Sequence, residues 1–264
     1  MLRITRREYK VMLEHRLFIN RKSAARELNQ ELHAIAKRLK GVECDGQFSK
    51  TRKRDITFLD TRDLTIQLNG LLLRQRVNLN KAGTQYTLKC RSADRYLAAG
   101  ADLRAGKRFE DDVKFEEDIG APFVCRFSHS NTILGPDRTP RTLADAAKLF
   151  PALGKLERDG EACSGHLALR PVSLQRVYER VLTGPVLRFS KTKTKAEVAL
   201  IIWSEGQRGR PLVAEFSFRY EGEKEKFPRP VAQRALEFFR ELQRLDVCLP
   251  QGRTKTQWMY EPRS

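Results

Sequence analysis

The chain has 264 residues, 40% of them hydrophobic and 32% charged, which is enough for a sizeable core and leaves an excess of charge to be placed. Lys and Arg number 51 against 33 Asp and Glu, a formal +18 that favours polyanionic partners such as nucleic acid, polyphosphate, nucleotides or an anionic membrane face. No run approaches the roughly 18 apolar residues of a membrane span, and Met1–Lys10 is charged where a signal peptide would be apolar. The five cysteines (Cys44, Cys90, Cys125, Cys163, Cys248) are odd in number and widely spaced with no CxxC pair. That spacing argues against a disulfide framework or a zinc site and for a reducing cytoplasm.

In chain order, Ile4–Phe18 alternates and predicts a strand, with Val11, Leu13 and Leu17 on one parity and Arg6, Glu8, Lys10 and Met12 on the other. Leu28, Leu32, Ile35 and Leu39 recur at helical spacing and predict a helix over Ser23–Lys40 with Ser23 as N-cap. A strand over Asp55–Asp60 follows the basic segment Lys50–Arg54. Asn69-Gly70 is a turn dipeptide ahead of a hairpin, Leu71–Leu79 and Gln85–Arg91. Arg108–Ile119 reads as a strand, and residues 122–151 as mixed, with a short helix at Leu143–Leu149. Short strands are expected over His166–Val172, Gln175–Leu182, Val186–Ser190, Glu197–Trp203 and Leu212–Tyr220. A helix over Pro230–Leu245 has Pro near its first turn, and a basic tail carries Trp258 and Tyr260. Eight to ten short strands with helices near both ends predict an α+β chain: a mostly antiparallel closed barrel of about eight strands with flanking helices.

The polar parity of these strands is unusually charged. Arg74 and Arg76 share a face, as do Lys89 and Arg91, Arg176, Tyr178 and Arg180, and Glu215, Ser217 and Arg219. On Arg108–Ile119, Arg108, Glu110, Asp112, Lys114, Glu116 and Asp118 oppose Phe109, Val113, Phe115 and Ile119, with Asp111 and Glu117 as exceptions. A wet outer face is the ordinary cause of such alternation. Charges of both signs on several strands fit a different arrangement, in which the barrel packs its apolar faces outward against the two long helices and encloses a polar cavity. Basic side chains there would grip phosphates, and carboxylates would hold a hard divalent cation.

With these residues in view, the sequence resembles the CYTH superfamily of triphosphate tunnel enzymes, which includes thiamine triphosphatases, inorganic tripolyphosphatases and class IV adenylate cyclases. Polyphosphate-polymerase domains and fungal-type RNA triphosphatases share that tunnel. The family's Glu-x-Glu-x-Lys strand is similar to Arg6-Arg7-Glu8-Tyr9-Lys10, with Arg6 in place of the first Glu, a substitution also similar to the opening of the polyphosphate-polymerase branch. Phe58-Leu59-Asp60-Thr61, Leu73-Arg74-Gln75-Arg76, Thr87-Leu88-Lys89 and Lys114-Phe115-Glu116-Glu117-Asp118-Ile119 match further elements in order. So do Leu169-Arg170-Pro171-Val172 with Arg176, then Ala214-Glu215-Phe216-Ser217, where Ser217 replaces a second carboxylate, and finally Lys255-Thr256.

The resemblance implies one tunnel domain over residues 1–264 that binds a triphosphate or polyphosphate. It implies phosphate contacts from Arg6, Lys10, Arg74, Arg76, Lys89, Arg91, Arg170, Arg176 and Lys255, and Mg²⁺ or Mn²⁺ on Glu8, Glu116 and Glu215, with Glu8 and Lys10 catalytic. Loss of carboxylates at Arg6 and Ser217 weakens the expected hold on metal. Metal-dependent hydrolysis of a triphosphate compound is the leading expectation. A polyanion- or nucleotide-binding protein with little catalysis, and a polyphosphate polymerase or nucleotidyl cyclase, are the alternatives. Nucleic acid at the basic runs Lys50–Arg54 and Ser190–Lys195 is compatible with each. The four histidines (His15, His33, His129, His166) are scattered and suggest no site.

Overall fold

The computed structural model describes residues 2–80, 82–172 and 177–261. In chain order its strands are β1 (Arg6–Leu13), β2 (Val42–Asp45), β3 (Lys50–Asp60), β4 (Leu71–Asn78), β5 (Thr84–Ser92), β6 (Asp112–Gly120) and β7 (Val124–Gly135), then the two-residue pieces β8 (Glu157–Arg158), β9 (Glu161–Ala162) and β10 (Arg170–Pro171), then β11 (Val177–Phe189), β12 (Thr194–Glu205), β13 (Pro211–Glu221) and β14 (Cys248–Leu249). The helices are α1 (Arg21–Arg38), α2 (Thr65–Leu68), α3 (Arg95–Gly100), α4 (Leu143–Ala147), α5 (Arg229–Leu242) and α6 (Lys255–Tyr260).

Among the described residues, nine strands close into a ring in the order β3-β4-β5-β7-β6-β1-β13-β12-β11, with β11 pairing back onto β3. Every neighbouring pair in the ring is antiparallel except β1 with β6. The expected closed barrel is therefore present, with nine strands. Closure depends on β11, which pairs β3 through Thr183 and then β2 from Val186 onward. Gly184 makes that switch possible. It sits at φ 145°, and a Cβ there would lie 2.1 Å from the Gln47 carbonyl oxygen.

The apolar faces point outward, as the charge pattern required. Tyr9, Val11 and Leu13 of β1 and Phe216 and Phe218 of β13 join Leu28, Leu32 and Ile35 of α1 and Phe238, Phe239 and Leu242 of α5 in one buried cluster. Tyr9 stacks on Phe218 at 4.8 Å and meets Phe239 edge-on at 5.1 Å. The α1 helix starts earlier than its spacing suggested: the Asn20 side chain, not Ser23, caps it by accepting from the Ser23 N–H at 3.2 Å. A second outer cluster packs Leu73, Tyr86, Leu88 and Ile133 against Leu143, Phe150 and Leu153.

Several boundaries differ from the sequence reading. The first strand ends at Leu13, before a 3₁₀ turn over His15–Phe18. The acidic strand begins at Asp112, so Arg108 and Glu110 precede it. Residues 166–172 contribute only the two-residue β10, and the segments expected as two strands either side of Gly184 are one bent strand. The basic tail holds α6, and β7 within the mixed stretch is a full barrel strand. The β7 strand lacks a clean alternation because His129 and Asn131 interrupt the outer face that Phe127 and Ile133 share, while the bore face is polar. Ser128, Ser130 and Thr132 face the bore, while His129 and Asn131 point outward and bond the carbonyls of Ala98 and Leu103. No helix among the described residues is long and apolar enough to cross a membrane.

Candidate active site in the barrel bore

Strand pairing brings one parity of each barrel strand to the bore. On β1 this is Arg6, Glu8, Lys10 and Met12. In register with them, β6 presents Glu116 beside Arg6 and Asp118 beside Glu8, and β13 presents Ser217 beside Lys10 and Glu215 beside Met12. The β5 strand adds Thr87, Lys89 and Arg91, β4 adds Arg74 and Arg76, β3 adds Arg54, and β11 adds Glu179. The bore is thus lined with charge, and the ring order sets β4 across from β1 and β13.

One end of the bore is filled. Met12, Ile56, Phe58, Val177, Trp203, Val213 and Met259 form an apolar cluster, with Trp258 and Tyr260 packed on it from α6. Trp258 meets Trp203 edge-on at 6.1 Å, and Tyr260 meets Phe58 at 6.2 Å. The short α6 helix holds its first turn with a capping box, in which Thr254 and Gln257 exchange side-chain bonds with each other's N–H. That placement carries Lys255 into the bore, where its ammonium reaches Glu215 at 2.7 Å. At the other end, a cavity of about 600 Å³ is bounded by Arg6, Asp112, Lys114 and Glu221.

Near β1 the charges are tightly paired. The Lys10 ammonium bridges Glu8 at 2.9 Å and Asp118 at 2.8 Å. Asp118, with no exposed side-chain surface, also receives Arg91 at 2.9 Å, Lys89 at 3.6 Å and the Ser128 hydroxyl at 2.7 Å. Burial alone would raise the Asp118 carboxyl, but Lys10, Lys89 and Arg91 outweigh it and hold it far below the usual carboxylate range. The same contest holds Glu8 low, through Lys10, and Lys10 high, through Asp118 and Glu8. Burial and its cationic neighbours Lys10, Arg91 and Arg74 bring Lys89 down to about 8 despite Asp118.

Glu116 differs from its neighbours. Burial and the nearby Glu8 push its carboxyl up, and its Oε1 is buried without a hydrogen-bond partner, the Arg6 guanidinium standing 3.7 Å away. Oxygens of Glu8, Glu116 and Asp118 lie within 4.8 Å of one another. An all-oxygen, three-carboxylate set with one orphaned oxygen fits a hard divalent cation such as Mg²⁺ or Mn²⁺. The third member was missed from sequence because Glu110, Asp112, Glu116 and Asp118 share one parity, and only the parallel register of β6 on β1 selects among them. Glu215, expected as a ligand, pairs with Lys255 at 2.7 Å and is not a member of that group.

The opposite wall is basic and largely unpaired. Among the described residues neither Arg74 nor Arg76 makes an ion pair, and the Nε of each is buried without a partner. Burial lowers Arg74 to about 10 and Arg76 well below its ordinary value. The nearest compensation is Glu179, which is 1% exposed, paired with Arg54 and accepting from Trp203 Nε1 at 3.0 Å. Guanidinium groups held in a cavity without counter-ions form a site for an anion.

The other expected residues fall as follows. Arg6 stands at the open end, 2.7 Å from Glu221. Arg170 is exposed and donates to the Arg62 carbonyl, away from the bore. Arg176 lies outside the described residues. Tyr178 and Arg180 do share a face, but the outer one, and it is Glu179 between them that enters the bore. The basic run Lys50–Arg54 is not wholly a surface feature either, since Arg54 is buried against Glu179. Asp60 accepts from the N–H groups of Thr61, Ile66 and Gln67, so it caps the α2 turn.

The class that this arrangement defines is a closed antiparallel barrel with a bore of fixed charges, carboxylates on one wall and guanidinium groups on the other. No protein-family profile matches the chain, and no curated protein matches it. Solved structures similar to it include a proposed adenylyl cyclase from Hippeastrum described as having a dominant triphosphatase activity, at 12% identity over 97% of this chain and 95% of that one, with a TM-score of 0.45. A proposed adenylate cyclase from Bacillus halodurans matches at 14% identity over 97% and 96% of the chains, with a TM-score of 0.42. Another from Vibrio parahaemolyticus matches at 10% identity over 98% and 99%, with a TM-score of 0.37. At these values the likeness carries nothing about activity, and the assignment rests on the ring of strands and its charged lining. The fold is a closed, mostly antiparallel nine-stranded barrel with flanking helices.

Proposed function

We propose that the protein hydrolyses a triphosphate compound bound in the bore, with a divalent cation held on Glu8, Glu116 and Asp118. The observation that carries this reading is the pairing of opposite walls: unpaired Arg74 and Arg76 on β4 face the carboxylate group on β1 and β6. Phosphoryl transfer needs alignment and neutralisation of oxygen charge more than covalent help from the protein. Arg74 and Arg76 supply planar, fixed donors for phosphate oxygens, while Lys89 and Arg91 supply further positive charge from the neighbouring strand β5. Lys10 stands among the carboxylates, on the wall across from β4, and would add its charge to a phosphate held between the walls. The apolar floor under α6 closes the far end, so a phosphate chain would enter through the opening at Arg6 and Lys114. When bound, Mg²⁺ or Mn²⁺ would neutralise phosphate oxygens and lower the pKa of a bound water.

A second reading is favoured by one observation. Glu8 and Asp118 are already neutralised by Lys10, Lys89 and Arg91, as in a receptor that holds a polyanion without turning it over. Phosphate release from tripolyphosphate, ATP, GTP and thiamine triphosphate, with Mg²⁺, with Mn²⁺ and with EDTA, decides between them. Hydrolysis predicts metal-dependent release from one compound, reduced at least about 100-fold in Glu8→Gln. Absence of release with every metal, alongside anion binding in EDTA, leaves the receptor.

A further inference from the structure

Lys10 occupies the place among the carboxylates that a cation would take. Its ammonium lies 2.9 Å from Glu8 and 2.8 Å from Asp118, two of the three groups whose oxygens cluster within 4.8 Å. Asp118 is further bound by Arg91 and Lys89, and Arg6 approaches Glu116. The three carboxylates therefore face at least as many cationic side chains, and the group offers little net negative charge to an incoming divalent ion. Of the three carboxylates, Glu116 alone has a buried oxygen, Oε1, without a hydrogen-bond partner.

The cations that neutralise this group are also the ones that line the anion site. Lys89 and Arg91 face the bore on β5, beside the unpaired Arg74 and Arg76 of β4, and Lys10 faces it from β1. A phosphate chain entering the bore gives them a second anion to bind. Each contact they transfer to phosphate returns negative charge to Glu8 and Asp118.

We infer that Lys10 is an exchangeable internal cation that holds Glu8 and Asp118 until an anion enters the bore, so that metal and phosphate bind with strong positive linkage. The inference rests on the reading of the bore as an anion site with metal-binding carboxylates, and adds an order to it: anion first or together, metal alone weakly. Linkage is reciprocal, so metal must tighten phosphate by the same factor that phosphate tightens metal.

The test uses the full chain, Mn²⁺ and inorganic phosphate, which itself holds Mn²⁺ only weakly. Mn²⁺ binding is read by the loss of the free-ion electron paramagnetic resonance signal, with and without phosphate, and phosphate binding by calorimetry, with and without Mn²⁺. The expected result is at least about a tenfold tightening in each direction. Lys10→Met removes the internal cation while keeping a long apolar stem. It should bind Mn²⁺ without phosphate at least about tenfold more tightly than the wild type, and lose most of the linkage. Because that variant leaves Glu8 and Asp118 with less compensation, its melting temperature should drop in EDTA and recover in Mn²⁺ by more than the wild type gains. Equal Mn²⁺ affinity with and without phosphate in the wild type overturns the inference, whether or not the variant folds. So does a folded Lys10→Met that binds Mn²⁺ no better than wild type. Metal-dependent phosphate release with no linkage would leave the hydrolase standing and remove only the exchange. Failure to bind either ion would remove the reading beneath it.

Discussion

Arg76 is an expensive residue to keep unless something binds it. Its Nε is buried without a partner, and burial together with Arg74 depresses its basicity. Replacing a buried charge that has no ion-pair partner of its own with an apolar stem commonly stabilises a fold, and sites kept for function carry such costs. Arg76→Met is therefore expected to raise stability in phosphate-free buffer by about 1 kcal/mol, measured by urea unfolding, while weakening tripolyphosphate binding at least about tenfold. A variant that is less stable and binds equally well would mean the guanidinium serves the fold and not an anion. Glu179 makes the opposite case. Burial opposes its ionisation, yet Arg54, Arg76 and Lys255 bring it from 4.5 down to about 2. Between those values the unfolded chain binds more protons than the native one, so this contribution is complete above about pH 4.5 and is lost as pH falls through about 2. Its size is about 3 kcal/mol. Acid unfolding of Glu179→Gln should lack that component between pH 5 and 2, and an unchanged profile would contradict the pairing. Sequence parity placed Arg74, Arg76, Lys10 and Glu116 in the bore and missed Glu179. Alternation divides a strand into two faces without saying which is inside, and on β11 the outer face carries the more conspicuous Tyr178 and Arg180.

At the scale of elements, α6 decides which end of the barrel is open. It is six residues long, too short to persist alone in water, so its order derives from what it packs against. Met259 is 5% exposed within the floor cluster, and Met259→Ala should cost about 2–3 kcal/mol in urea unfolding. Anion binding at β4 should survive, since Arg74 and Arg76 lie on a different part of the wall. Loss of binding in a folded variant would show that the floor, and Lys255 with it, also shapes the anion site. Nothing in the tail's sequence announces this helix: a basic stretch with two aromatic residues reads equally as a solvated end. The long helices α1 and α5 were legible because each has a whole apolar stripe to bury, whereas α6 has only one turn and two flanking residues. The bent strand β11 was read as two because Gly184-Pro185 is an ordinary break signal, and here it marks a change of partner from β3 to β2 within one strand.

For the molecule as a whole, the order of charged strands was visible in the sequence because the bore reverses the usual arrangement, with apolar faces out against α1 and α5 and charge inside. Closure itself was not, since the β11–β3 pairing joins segments more than 120 residues apart and leaves no local mark. That architecture has a thermodynamic consequence. A cavity that concentrates unpaired positive charge is strained until an anion enters, so a ligand of the bore should stabilise the whole ring and not one loop. At 100 times its dissociation constant a ligand adds about 2.7 kcal/mol to stability, which for a chain of this size is a rise of about 5–10 °C in melting temperature. Tripolyphosphate in EDTA should produce that rise in the wild type, and most of it should vanish in the double variant Arg74→Met, Arg76→Met. The net charge of +18 will attract the same anion to the outer surface, but surface attraction is screened as salt rises, while contacts inside a largely desolvated bore are screened much less. A stabilisation that persists at 0.5 M salt and depends on the two arginines therefore locates the anion in the bore. One that disappears with salt, or that the double variant retains, would place it on the outside and take away the ground for reading this barrel as a triphosphate site.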